Sequence, residues 1–113
     1  MNHMSVFLKN KVLKDNLKSA HVALFNGEIE INQPSYSRQT ASFTEPTDGQ
    51  TSNNGDVLFP IANESWGSIT HIGIFDNAAA GNLLFKAPAE FIKTIDVSSQ
   101  YKIPKNYLIV RLK

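Results

Sequence analysis

From residue 20 onward the chain breaks into short runs of strand-forming residues, and each run stops on Asn, Gly, Pro or Asp. This punctuation limits the fold more than any other feature. Extended backbone places successive side chains on opposite faces, so short alternating runs between turn residues make strands and not helices. His21-Val22-Ala23-Leu24-Phe25 is such a run, closed by the turn pair Asn26-Gly27. Glu28-Ile29-Glu30-Ile31 alternates and is broken by Pro34, and Gln39 to Thr44 is a further candidate. Asp56 to Phe59 runs into Pro60. Ser68 to Phe75 is the strongest strand, with Leu83 to Ala87 as its hairpin partner across the turn 76–82. Residues 90–97 hold a separate extended segment, and Tyr107 to Leu112 closes the chain with Leu108, Val110 and Leu112 on one face. Residues 45–55 are almost all polar or turn-forming and read as an exposed, mobile loop. The pattern predicts a mainly β fold, an antiparallel β-sandwich of about seven or eight short strands over residues 20–113.

Ahead of the strands, residues 5–18 have helical spacing. Leu8 and Val12 are four apart, as are Leu13 and Leu17, and together they read as one apolar stripe. Ser5 suits the N-cap. A helix of about three turns is unstable alone in water, so it must dock on its own domain or on a neighbour. Leu8, Val12, Leu13 and Leu17 are therefore the candidate partner-docking residues. At 113 residues the helix and sandwich together make one domain, residues 1–113.

Charge excludes several function classes. Eleven basic against ten acidic residues give a net charge of +1, far from the basic stripe of a nucleic-acid binder. Lys9, Lys11, Lys14 and Lys18 are the only basic cluster, and they read as a solvated helix face. The chain has no cysteine, which removes disulfides and thiolate metal ligands and favours a reducing compartment. No apolar run reaches membrane-spanning length, and the first residues do not resemble a signal peptide. Neither membrane insertion nor signal-directed export is expected, and a route out of the cell would be lysis or assembly.

The chemistry-bearing residues do not gather into a catalytic pattern. His71 lies mid-strand, with no second histidine at metal-ligand spacing. Asp76 follows a strand and Glu90 sits in a connection, a weak basis for a carboxylate pair. Ser65, Ser68, Ser98 and Ser99 lie in no strained glycine elbow. No enzyme activity, cofactor or metal is expected. Trp66, Tyr36 and Arg38 are the candidate ligand-binding residues, for a glycan or a protein partner. An exposed tryptophan beside a polar loop stacks on sugar rings, whereas a buried one plugs the end of a sandwich, and Gly67 next to it permits the close packing of a plug.

The run Trp66-Gly67-Ser68-Ile69-Thr70-His71-Ile72-Gly73-Ile74-Phe75-Asp76 resembles a signature of small tailed-bacteriophage tail-fibre or minor tail proteins. In that family an alanine- and glycine-rich turn and an asparagine-leucine-leucine follow, as Ala78 to Gly81 and Asn82-Leu83-Leu84 do here. Val22 to Phe25, Tyr36-Ser37-Arg38-Gln39 with Phe43, and Asn54 with Asp56 to Pro60 are similar to its other strands in order. The leading helix is similar too, so the likeness spans nearly the whole chain. It departs where Ser98-Ser99-Gln100 and Lys105-Asn106 replace glycine-containing turns.

The resemblance implies a virion structural protein of the tail tip, baseplate or tail fibre that acts by docking on other phage tail proteins. It implies a place in the phage tail, after a passage through the host cytoplasm during assembly, and it admits a homo-oligomer. Two alternatives stay open: a host-receptor or cell-wall glycan-binding module, and an assembly factor not retained in the virion.

Overall fold

The computed structural model describes residues 3–112, the side chain of Phe91 excepted. One helix, α1 (Val6–Asn16), precedes nine strands: β1 (His21–Asn26), β2 (Ile29–Glu30), β3 (Gln39–Thr40), β4 (Gln50–Ser52), β5 (Val57–Leu58), β6 (Gly67–Phe75), β7 (Leu83–Ile95), β8 (Lys102–Ile103) and β9 (Ile109–Arg111). The chain is mainly β and antiparallel, with its helix at the N-terminus, as the punctuation predicts. Among the described residues there are nine strands where seven or eight are expected. Two are additions, β4 and β8, the one too polar and the other too brief to show alternation, and two expected strands are one, β7.

β1 is the hub of a five-stranded sheet in the order β2-β1-β6-β7. It pairs with β6 along five residues, from His21 opposite Phe75 to Phe25 opposite His71. Its other edge is shared, with β2 on the C-terminal end and β3 on the N-terminal end. Gly27 makes the tight return into β2 at φ 62°, a left-handed conformation that costs glycine little. The pairs β4-β9 and β5-β8 form a second, broken layer, giving a sandwich-like arrangement.

Two apolar clusters fill the space between the layers. The larger joins Val22 and Leu24 of β1 to Ile69, Ile72 and Ile95, and to Val57, Phe59 and Ile103 of the second layer. The smaller joins Leu13, Leu17, Ala20, Ile74 and Val110, with Leu108 and Leu112 packed beside them. On the opposite face of the sheet Phe25 lies across Gly73, where a Cβ would stand 2.6 Å from its Cε1. The Phe25 and Phe75 rings stack at 6.2 Å. The Arg38 guanidinium caps Phe75 at 3.6 Å and the Lys86 ammonium caps Phe25 at 4.5 Å.

Two local expectations are corrected. Residues 45–55 are not a free loop: β4 lies within them, and Thr51 and Asn53 are buried. Asn53 donates to the carbonyls of Gly55 and Pro104 at 2.8 and 2.9 Å and accepts the Leu108 N–H at 2.8 Å. Polar composition conceals a strand whose polar groups find partners inside the protein. Next, Leu83 to Ala87 and the segment 90–97 are not separate, because β7 is one strand of 13 residues. Its register slips midway: His71 pairs with Pro88 but Ile69 with Lys93, so four residues of β7 face Thr70 alone. The turns that depart from the family's glycines keep a glycine-like backbone, with Ser98 at φ 69° and Asn106 at φ 70°.

Candidate docking site

The three candidate ligand-binding residues meet in one network, and it faces inward. The Tyr36 ring stands edge-on to Trp66 with centroids 5.6 Å apart and stacks on Phe59 at 6.3 Å. Its hydroxyl accepts the Leu24 N–H at 3.1 Å and donates to Glu30 Oε2 at 2.7 Å. The position explains the bond. Leu24 lies on β1 between the residues paired to β2 and to β3, and its N–H has no strand partner on that edge. Tyr36 fills the gap with a side-chain oxygen, satisfying a backbone donor buried away from water. Burial, followed by the hydrogen bond to Glu30, holds the Tyr36 phenol well above its ordinary pKa.

Arg38 completes the network. Its Nε and Nη2 donate to the two Glu30 carboxylate oxygens at 2.9 and 2.8 Å, while Nη1 reaches the carbonyls of Asn77 and Ala80 at 3.0 and 2.8 Å. This bidentate fork ties β2 to the turn after β6. Burial pushes the Glu30 carboxyl up, but the hydrogen bonds from Arg38 and Tyr36 outweigh it and hold its pKa below the usual range. The Arg38 side chain is only 9% exposed.

Trp66 is 4% exposed. Its Nε1–H donates to Ser35 Oγ at 3.0 Å and to Glu64 Oε2 at 3.1 Å, and the Ser35 hydroxyl donates to the same carboxylate. A sugar-stacking role needs an open ring face, and this ring has none. Trp66 is the plug, and Arg38 is committed to Glu30 and two carbonyls. Ser35, Glu30 and Glu64 are the partners that sequence reading misses. Their only signal is that Trp, Tyr and Arg polar groups need partners when buried.

The helix residues divide. Leu13 and Leu17 are buried in the domain's own core, Val12 is half-buried, and Leu8 is 42% exposed. The single stripe expected for the four residues is a correction that follows from helical geometry. At about 100° per residue, Leu8 and Leu13 lie roughly 140° apart, so one surface cannot take both pairs. The Leu13–Leu17 side packs in cis, supported by Asn10 Oδ1, which accepts the Gly49 N–H at 2.8 Å. The first turn of the helix leaves Val6, Phe7 and Leu8 exposed, Phe7 by 77%.

The remaining candidates have structural partners. His71 Nδ1 lies 2.9 Å from Thr70 Oγ1, which also accepts the Gly27 N–H. Asp76 caps its turn by accepting from the Asn82 N–H and side-chain amide, and these bonds hold its carboxyl below the usual range. Glu90 stands exposed on β7, while Ser65 bonds Asp96 and Ser68 bonds Thr94. Among the described residues no group of three His, Cys, Asp or Glu is placed to hold a metal, and no helix is long and apolar enough to cross a membrane.

One concave feature has no counterpart in the sequence reading. A groove of about 380 Å³ runs between β7 and residues 101–111, lined by Ile72, Ile74, Phe85, Ile103, Tyr107 and Val110 among others. It lies beside the open edge of the main sheet.

The described residues form a β-rich framework whose buried polar side chains tether its own segments. Residues 18–111 match the family described as podophage GP4 fiber I protein gp80, and the chain belongs to that phage fibre-protein family. Its role is that of a structural part of a phage tail. The match leaves α1 outside its bounds, so the likeness to the family rests on the β portion. No curated protein matches the chain.

Proposed function

We propose that the protein is retained in the virion at a tail fibre or its attachment to the tail tip or baseplate, and that it acts by docking on other tail proteins without catalysis. The observation that carries the docking reading is the exposed apolar end of α1. Val6, Phe7 and Leu8 are exposed in the first turn of a helix whose Leu13 and Leu17 are already seated in the domain. Of the four helix residues, Leu8 remains available for docking, joined by Val6 and Phe7. On this reading the protein is present in the host cytoplasm only before assembly.

Antibody labelling of intact particles, viewed by electron microscopy, tests retention in the virion. Label on the tail supports the reading. Abundant protein in infected cells with bare particles would make it an assembly factor. Phe7→Glu tests the docking surface: the variant is expected to fold as the parent does and to be lost from particles. Normal incorporation would remove α1 from the proposal.

A further inference from the structure

Three glycines follow an asparagine or an aspartate, in Asn26-Gly27, Asp48-Gly49 and Asn54-Gly55. In such a pair the glycine nitrogen can attack the carbonyl carbon of the preceding side chain, because the glycine has no Cβ to block the approach. The nitrogen must first give up its proton, so an acceptor that holds the N–H slows the step. Asn26, Asp48 and Asn54 are all exposed, and exposure does not separate them. The glycine N–H groups do. Gly27 donates to Thr70 Oγ1 at 2.7 Å, and Gly49 donates to Asn10 Oδ1 at 2.8 Å. Among the described residues nothing accepts the Gly55 N–H. A Cβ at Gly55 would meet nothing within 4 Å, so the nitrogen stands in open space that water can enter. We infer that Asn54 is a site of spontaneous deamidation, and that the fold selects it over the chemically equivalent Asn26.

The reaction needs only water. The Gly55 nitrogen loses its proton and bonds to Asn54 Cγ, the Cγ–Nδ2 bond breaks, and the nitrogen of the amide leaves as ammonia with that proton. A cyclic imide remains. Water then opens it at either carbonyl, so an amide and water have become a carboxylic acid and ammonia, with nothing oxidised or reduced. Opening at the side-chain carbonyl gives aspartate. Opening at the main-chain carbonyl gives isoaspartate, whose main chain runs through the former side chain and is longer by one methylene. The place of the change gives it a structural consequence. Asn53 Nδ2 donates to the Gly55 carbonyl at 2.8 Å and to the Pro104 carbonyl at 2.9 Å, and Asp56 Oδ1 accepts the Lys105 N–H at 2.9 Å. A methylene added between Asn53 and Gly55 carries the Gly55 carbonyl away from Asn53 and shifts Asp56 from Lys105. Either product also sets a new carboxylate near that of Asp56. The tie between residues 53–56 and residues 104–108 is therefore loosened by conversion.

Ageing the full chain in mildly alkaline buffer, followed by tryptic peptide mapping with mass spectrometry, tests the inference. Cleavage at Arg38 puts Asn26 and Asn54 on different peptides. In the folded protein Asn54 is expected to convert about tenfold faster than Asn26, the rate equivalent of one ordinary hydrogen bond held at Gly27. In urea, where neither N–H is held, the two rates are expected to converge. Thr70→Val removes the acceptor and is expected to raise the folded-state rate at Asn26 toward that at Asn54. Gly55→Ala has room for its methyl group and is expected to slow conversion at Asn54 several-fold in the folded protein. The isoaspartate form, separated by ion exchange, is expected to unfold at a lower urea concentration than the parent. Equal folded-state rates at the two asparagines, or a preference for Asn54 that persists unchanged in urea, would overturn the inference without recourse to any variant. An Asn26 rate unmoved in folded Thr70→Val would remove the held N–H as its cause. None of these outcomes bears on virion labelling, so the two proposals fail separately.

Discussion

Replacing Tyr36 by Phe removes one oxygen and leaves the ring contacts with Trp66 and Phe59 in place. The oxygen is the acceptor for the Leu24 N–H, and Leu24 is fully buried. An orphaned buried donor costs about 1–3 kcal/mol. Glu30 also loses a donor but keeps both N–H bonds from Arg38, so that part of the loss is small. The expected total is about 2–3 kcal/mol, a fall in Tm of roughly 8–20 °C for a domain of this size. Urea unfolding reads it directly, because Trp66 is the only tryptophan and is buried against Tyr36. The midpoint should fall with an unchanged m-value, the mark of a stability change without a change in exposed surface. Tyr36→Ala should lose a further ~3 kcal/mol or more through the cavity. If Tyr36→Phe unfolds within ~0.5 kcal/mol of the parent, well short of the cost of an orphaned donor, the phenol does not serve the gap between β2 and β3, and the reasoning fails.

Other outcomes follow from the same packing. Leu13→Ala should cost about 2–5 kcal/mol and Leu8→Ala less than ~0.5 kcal/mol in denaturant unfolding, and equal losses would contradict the two-sided helix. Asn53→Ala strands a buried N–H and two carbonyls and should cost at least ~2 kcal/mol, measured by thermal melting. Glu30 has a lowered pKa in the folded state, so its contribution is present above the ordinary carboxylate value of 4.5 and is lost as pH falls below it. Unfolding free energy should therefore drop on acidification, and Glu30→Gln should flatten part of that drop while lowering stability at neutral pH. Ser98 holds a left-handed backbone, and Ser98→Gly should be neutral or stabilising by up to about 1 kcal/mol in the same melt.

What the sequence determined is local. Period-two runs between turn residues make strands whatever surrounds them, so β1, β6 and β9 follow from alternation and punctuation, and the Ser5 cap marks the start of α1. The family too is legible, because the run from Trp66 to Asp76 is contiguous. Direction is not local. Whether Trp66 faces sugar or core depends on Ser35 and Glu64, which the fold brings to it from a separate loop and from the turn beside it. Whether Leu17 meets a partner or its own domain depends on Val110, at the far end of the chain. The polar stretch around Asn53 becomes structure only because residues 104–108 supply its partners. Propensity acts over a few residues, whereas burial and hydrogen-bond satisfaction are settled by contacts between distant ones, and that is where the tertiary structure decided.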